Sequence, residues 1–84
     1  IANKNNILFI PGVSSPSEIL TAIQYKCKLL KYFHAENNGG SNSLKFLEEI
    51  FNDITFIPTG GINNENMDDY LDLDNVIAVG STNL

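Results

Sequence analysis

Four short apolar runs divide this chain into segments of similar length, and each run is followed by a turn or a glycine. The runs end near Gly12, Phe33, Thr59 and Gly80, which lie 21, 26 and 21 residues apart. Amphipathic segments separate the runs. This rhythm is typical of consecutive strand–helix–strand units with right-handed crossovers. It predicts an α/β fold with a parallel sheet.

The predicted elements alternate between strand and helix. They are strand 7–10, a loop at 13–15, helix 16–27, strand 29–33, a helix that begins near Ser41 or Ser43 and ends before Asn52, strand 54–58, a short helix at 65–71 and strand 76–79. The first run is continuous rather than alternating, which favours a strand covered on both faces.

Capping residues and apolar stripes support the two longer helices. Ser15 is a suitable N-cap, Pro16 suits the first helical position, and Glu18 lies three residues after Ser15 as in a capping box. The expected apolar faces are Ile19, Leu20, Ile23 and Cys27 in the first helix, and Leu44, Leu47, Ile50 and Phe51 in the second.

Composition limits the classes of function. The chain has 84 residues, 43% of them hydrophobic, which predicts one small domain with a real core. Its formal charge is −5 and it contains no arginine, so a nucleic-acid partner is not expected. The single cysteine, Cys27, fits a reducing, cytoplasmic setting. No apolar run approaches the length of a membrane span, so no membrane partner is expected either.

Lys31 interrupts the second apolar run. Alternation places Leu29, Lys31 and Phe33 on one face of that strand, with Leu30 and Tyr32 on the other. One interpretation is that the lysine lies at a sheet edge or extends its stem to solvent. The other is a desolvated amine with a lowered pKa, which can attack a carbonyl and form a Schiff base.

Glycines and hydroxyl groups follow three of the strands. Pro11-Gly12, Thr59-Gly60-Gly61 and Gly80-Ser81 all come after a strand's carboxyl end, where parallel α/β proteins bind ligands. Glycine after a strand is more often only a turn. Two such motifs on neighbouring strands nevertheless indicate a phosphate site made of backbone N–H groups.

The other titratable residues point less clearly to chemistry. His34 is a candidate general acid or base, or a turn residue after the strand. Glu36 is a candidate to orient Lys31 or relay protons, or a cap for the next helix. Cys27 is expected to pack in the core. No residues show metal-ligand spacing, and no nucleophile triad is visible.

Three stretches of the sequence, taken together, are specific enough to indicate a protein family. They are Ile10-Pro11-Gly12-Val13-Ser14, then Lys31-Tyr32-Phe33-His34-Ala35-Glu36 with Asn38-Gly39-Gly40, then Pro58-Thr59-Gly60-Gly61-Ile62. They resemble the class I pyruvate aldolases that cleave 2-dehydro-3-deoxy-6-phosphogluconate or 4-hydroxy-2-oxoglutarate. The resemblance covers essentially the whole chain. It implies a (β/α)8 TIM barrel, of which residues 1–84 are a single domain, the carboxy-terminal half with about strands five to eight.

The resemblance also implies roles for individual residues. Lys31 matches the Schiff-base lysine and Thr59 the residue that hydrogen-bonds the pyruvyl carboxylate. The phosphate-binding loops match Gly60, Gly61, Gly80, Ser81 and Thr82. Pro11 and Glu36 are further candidates for the site. The implied substrate is a small keto acid, the implied assembly is a homo-oligomer (a trimer of full-length chains), and no metal or organic cofactor is implied.

The chain departs from the family pattern at two places. His34 stands where the family usually has proline, and Val79 to Asn83 replaces a double glycine, a serine and an aromatic residue. The family's general-base glutamate and substrate-contacting arginine lie in the first half of the barrel. Two alternatives therefore stand beside an active aldolase. One is a phosphate-binding barrel of the thiamine-phosphate-synthase kind, and the other is an inactive half-barrel.

Overall fold

Within residues 10–80, three parallel strands alternate with three α-helices. The structure is a computed structural model that describes residues 10–80. Its elements are β1 (Gly12–Val13), α1 (Pro16–Gln24), β2 (Leu29–Tyr32), α2 (Gly40–Ile50), β3 (Thr55–Pro58) and α3 (Met67–Leu71), with a 3-10 turn at Glu36–Asn38. Within residues 10–80, no helix is long and apolar enough to cross a membrane.

The sheet has the order β1-β2-β3, and all its pairings are parallel. Lys31 is in register with Gly12 on one side and Ile57 on the other, so β2 is the central strand. The predicted α/β fold with a parallel sheet is confirmed. The fourth strand predicted at 76–79 is not continuous, because only Val76 and Gly80 form isolated parallel bridges, to Phe56 and Thr59.

Among residues 10–80, the first strand pairing is that of Gly12 and Val13 with β2. Residues 7–9 lie outside the described part of the chain, so the prediction of a strand there is not tested. Val13, predicted to lie in a loop, belongs to β1 and is buried. The carbonyl oxygens of Pro11 and Val13 accept the N–H groups of Lys31 and Phe33 at 2.9 and 3.0 Å. Proline tolerates this position because the pairing uses its carbonyl group and needs no N–H.

Helix α1 begins as the sequence predicts. The N–H of Glu18 donates to Oγ of Ser15 at 3.3 Å, which satisfies one free donor of the first turn. The Glu18 carboxylate accepts from the N–H and hydroxyl of Ser14, one residue before the cap. These bonds lower the pKa of Glu18, with the backbone bond from Ser14 as the largest cause.

The buried face of α1 is narrower than predicted. Ile19 and Ala22 pack into the core, whereas Leu20 and Ile23 are exposed. The helix ends at Gln24, three residues before Cys27, the last member of the predicted apolar face. Cys27 is partly buried against the core, so the prediction that it serves packing is confirmed.

The prediction that Ser41 or Ser43 caps α2 is wrong. The helix starts at Gly40, and its N-cap Gly39 has φ of 101° with no side-chain cap. Ser43 instead lies with its hydroxyl 3.0 Å from that of Tyr32. Leu44 and Leu47 are buried and Phe51 nearly so, but Ile50 is exposed, contrary to the predicted stripe.

The core lies on one face of the sheet. Leu30, Tyr32 and Phe56 pack there with Ile19 of α1 and Leu44 of α2. The Tyr32 and Phe56 rings meet edge to face, with centroids 5.9 Å apart. The strand residues between them point to the opposite face, where Leu29, Phe33 and Ile57 are half-buried and Lys31 is exposed. The alternation predicted for β2 is confirmed.

Candidate active site

Lys31 projects from the central strand onto the face of the sheet that the helices do not cover. Its side chain is exposed, while both of its neighbours in β2 are buried. Of the two interpretations of this lysine, the described residues match the one in which the stem extends to solvent. The exposed side chain is accessible to a small molecule.

An open cleft of about 430 Å³ surrounds Lys31. Its lining residues come from the ends of all three strands and are Ile10, Gly12, Lys31, Phe33, His34 and Thr59. The fold therefore brings the candidate lysine and the candidate threonine, which are 28 positions apart in sequence, to one cavity. Pro11 is not part of this lining. It lines a separate hollow against α1 and supports Lys31 through its backbone carbonyl.

A tight turn follows β3 beside this cleft. Gly60 and Gly61 both have left-handed φ angles, 104° and 77°. The Thr59 carbonyl accepts the N–H of Ala35 at 2.7 Å, and the Gly60 carbonyl accepts the N–H of Glu36 at 3.1 Å. A Cβ at Gly60 would lie 3.0 Å from the Cα of His34, so backbone crowding as well as φ requires glycine there.

Gly80 lies next to Thr59. The two residues form a parallel bridge, and the Gly80 N–H donates to the Pro58 carbonyl at 2.9 Å. Two of the predicted phosphate-site glycine motifs are thus adjacent. The hydroxyl residues Ser81 and Thr82, predicted for the same site, lie outside the described residues.

His34 is exposed at the rim of the cleft, immediately after β2. Its ring meets that of Phe33 edge to face, with centroids 5.1 Å apart. The peptide bond between the two residues is cis. The Asn38 side-chain amide donates to the Phe33 carbonyl at 3.0 Å, which holds this turn in place. The geometry agrees with a turn residue at the cleft wall.

Glu36 has a buried partner that the sequence did not reveal. Its carboxylate accepts a hydrogen bond from the hydroxyl of Tyr70, a fully buried residue of α3. Desolvation, and next the hydrogen bond to Glu36, raise the pKa of Tyr70. A buried tyrosine hydroxyl needs a partner, so Tyr70 was recognisable as a residue with a polar contact. That the partner is Glu36, 34 residues earlier, depends on the tertiary fold.

A family model and a curated relative match this chain over nearly all of its length. The model of the KDPG and KHG aldolase family matches residues 1–84. The KHG/KDPG aldolase of Escherichia coli K12 is 40% identical over 81 residues, which are 96% of this chain and 38% of that protein.

Two solved structures are similar in backbone as well as sequence. The KDPG aldolase of Legionella pneumophila, with pyruvate captured as a covalent carbinolamine intermediate, superposes with a TM-score of 0.90 at 40% identity, over 96% of this chain and 39% of that one. The aldolase of Zymomonas mobilis ZM4 with 3-phosphoglycerate gives 0.85 at 29% identity, over 94% of this chain and 38% of that one.

The chain spans about two-fifths of the length of the relatives it matches. The family match extends over every residue of the chain and includes the stretch that carries Lys31 and the stretch that carries Thr59 and the glycine turn. The chain belongs to the KDPG and KHG aldolase family.

Proposed function

We propose that the protein with this chain is a class I aldolase, a lyase that works through a Schiff base. Its substrate would be 2-dehydro-3-deoxy-6-phosphogluconate, cleaved to pyruvate and glyceraldehyde 3-phosphate, or 4-hydroxy-2-oxoglutarate, cleaved to pyruvate and glyoxylate. The observation that carries this proposal is the shared cleft of Lys31 and Thr59 at the carboxyl ends of parallel strands. The pyruvate carbinolamine in the Legionella relative supports it, since a carbinolamine forms when an amine attacks a ketone.

Lys31 is the proposed nucleophile. Its unprotonated amine adds to the C2 carbonyl of the keto acid and gives a carbinolamine, which takes up a proton and loses water to form a protonated imine. The bond between C3 and C4 then breaks as the C4 hydroxyl loses its proton. The electron pair of that bond moves into the imine, leaving an enamine of pyruvate and a free aldehyde. Protonation at C3 and hydrolysis release pyruvate and restore the lysine.

The proton of the C4 hydroxyl needs an acceptor. The family resemblance places the general-base glutamate in the first half of the barrel, before the segment that matches this chain. Glu36 is not assigned this role, because its carboxylate is hydrogen-bonded to Tyr70. The imine itself serves as the electron sink, so the proposed steps require neither a metal nor an organic cofactor.

Thr59 is proposed to hydrogen-bond the carboxylate of the keto acid from the wall of the cleft. The turn after it is proposed to hold the substrate's phosphate. Carbonyl and N–H groups point in opposite directions across a trans peptide. Because the Thr59 and Gly60 carbonyls face the N–H groups of Ala35 and Glu36, the N–H groups of Gly60 and Gly61 point away from them. Two adjacent N–H groups with a common direction favour an anion.

Residues 1–84 are proposed to form the carboxy-terminal half of a (β/α)8 barrel, with β1 to β3 as strands five to seven and the bridged segment at Val76 and Gly80 as strand eight. Three observations support this. The strands are parallel, they are adjacent in chain order, and the chain spans 38% of the Escherichia coli relative. The whole protein is proposed to assemble into a homo-oligomer, as the family resemblance implies.

A borohydride trap tests the proposed nucleophile. The protein is incubated with pyruvate, the imine is reduced to a stable secondary amine, and the modified lysine is located by mass spectrometry. We expect modification at Lys31 and its loss in Lys31→Arg. Lys45→Arg is the matched control, because Lys45 is an exposed lysine on α2. Modification at other lysines but not at Lys31 would contradict the proposal.

The same trap separates the alternatives. A phosphate-binding barrel of the thiamine-phosphate-synthase kind would bind phosphate without forming the imine, and the family match favours the aldolase over it. An inactive half-barrel would show neither turnover nor a lysine that is selectively trapped. Turnover of either keto acid, followed by coupled reduction of pyruvate, distinguishes an active enzyme from a protein that only forms the imine.

A further inference from the structure

Tyr70 connects α3 to the turn that follows β2, close to the proposed active site. It lies in α3, its side chain is completely buried, and its hydroxyl donates to Oε2 of Glu36 in the turn after β2. Glu36 is an exposed residue, and this bond fixes the end of its side chain. The bond therefore ties α3 to the end of the strand that carries Lys31.

Glu36 in turn contacts the proposed phosphate-binding turn in two ways. Its backbone N–H donates to the Gly60 carbonyl at 3.1 Å. Its side chain passes beneath Gly61, where an added Cβ would lie 2.8 Å from both Cβ and Cγ of Glu36. The side chain also passes close to Gly40, where an added Cβ would lie 3.2 Å from Oε2. The side chain of Glu36 thus lies between Gly61 and Gly40.

The contact between Glu36 and the turn at Gly60 and Gly61 helps to fix the direction in which the N–H groups of these glycines point. Rotation of the peptide between Gly60 and Gly61 would break the bond to Glu36 and turn the Gly61 N–H away from an anion. Glycine offers little resistance to such a rotation, because it has no Cβ to restrict its backbone. A neighbouring side chain held in one rotamer supplies the restriction that the glycines lack.

We propose that Tyr70 is a positioning residue for the anion-binding turn and acts by holding Glu36 beneath Gly61. This inference rests on the proposed function, since it concerns the turn assigned to the substrate's phosphate. The bond also keeps the Glu36 carboxylate beside the Tyr70 hydroxyl and close to Gly40. Without the Tyr70 bond, the negative charge of Glu36 is free to move closer to the anion.

The test is a titration of the protein with inorganic phosphate, followed by the amide NMR signals of Gly60 and Gly61. Tyr70→Phe removes only the hydroxyl, and Glu36→Leu removes the acceptor from the exposed side without touching the core. We expect each variant to weaken phosphate about three- to tenfold, the factor that one hydrogen bond corresponds to. Glu36→Gln keeps an acceptor oxygen and should restore most of the affinity. Tyr25→Phe, at an exposed tyrosine, is the matched control.

A second readout separates positioning from plain destabilisation. Pyruvate trapping at Lys31 does not use the phosphate turn, so it should fall less than phosphate affinity in Tyr70→Phe and Glu36→Leu. Equal losses in both measurements, or a lower melting temperature with unchanged phosphate affinity, would overturn the proposal. If phosphate does not shift the Gly60 and Gly61 amides of the unsubstituted protein, the phosphate site is wrong and the role of Tyr70 falls with it.

Discussion

The methyl group of Thr59 occupies the space in which a side chain at Gly80 would lie. The two residues pair across the end of the sheet, and a Cβ at Gly80 would be 2.5 Å from Cγ2 of Thr59. That separation is too short for two carbon atoms. Gly80 is therefore needed to keep Thr59, the proposed carboxylate ligand, in its place at the cleft.

Gly80→Ala should destabilise the protein through this contact. We expect the free energy of unfolding to fall by about 1–3 kcal/mol, the usual cost of overpacking. Thr59→Ser removes the methyl group but keeps the hydroxyl, so the double variant should recover most of the loss. Urea unfolding of the unsubstituted protein, both single variants and the double variant measures the coupling. Strictly additive losses would show that the two side chains do not compete for the same space.

Gly61→Ala should impair phosphate binding, and Gly39→Ala serves as a control for the general cost of a side chain at a left-handed position. An alanine in the left-handed region costs about 1–2 kcal/mol, and at Gly61 it would also meet Glu36. Gly39→Ala is the matched control, because Gly39 has φ of 101° and its added Cβ would lie 2.8 Å from Ser43. We expect both variants to lose stability, and only Gly61→Ala to lose phosphate affinity, by about tenfold. Equal affinity losses would place the phosphate elsewhere.

Tyr70 should make the protein sensitive to alkali. Burial, the hydrogen bond to Glu36 and the nearby charges of Glu36 and Asp69 raise its pKa above the ordinary value of 10.0. As pH rises past 10.0, Tyr70 ionises in the unfolded state but stays protonated in the folded state, so the unfolded state is favoured. The stability that the protonated, hydrogen-bonded Tyr70 contributes is therefore present below pH 10.0 and is lost as the pH rises above it.

Urea unfolding between neutral and strongly alkaline pH measures this dependence. The free energy of unfolding should fall more steeply with pH in the unsubstituted protein than in Tyr70→Phe. Tyr25→Phe is the matched control and should keep the steep dependence, because Tyr25 is exposed. The same slope in the unsubstituted protein and in Tyr70→Phe would mean that Tyr70 does not remain protonated in the folded state.

A polypeptide limited to these 84 residues should associate or unfold readily. Large apolar side chains are exposed on several parts of the described surface, for example Leu20, Phe46 and Ile77. Within residues 10–80, β1 pairs with β2 on one side only, and a sheet edge of this kind invites pairing with another chain. Light scattering and a coupled aldolase assay give the answer. A stable monomer with turnover would contradict the proposal that a second half-barrel is needed.

Local features of the fold were predictable from the sequence. The start of α1 at Ser15 and Pro16 depends on hydrogen bonds within one turn, so residue types alone indicate it. The face that carries Lys31 follows from the alternation of a strand, which every strand shares. The rhythm of apolar runs predicts parallel strands, because the segments between them are long enough for helical crossovers.

Only the tertiary structure decided the rest, because those features depend on residues far apart in the chain. Val13 joins the sheet because its carbonyl accepts the N–H of Phe33, and Ile50 stays about half exposed where α2 packs on the rest of the fold. The contact between Tyr70 and Glu36 spans 34 positions. Sequence patterns record which side chains are apolar and how they repeat, whereas a contact of this kind exists only after the strands and helices have packed together.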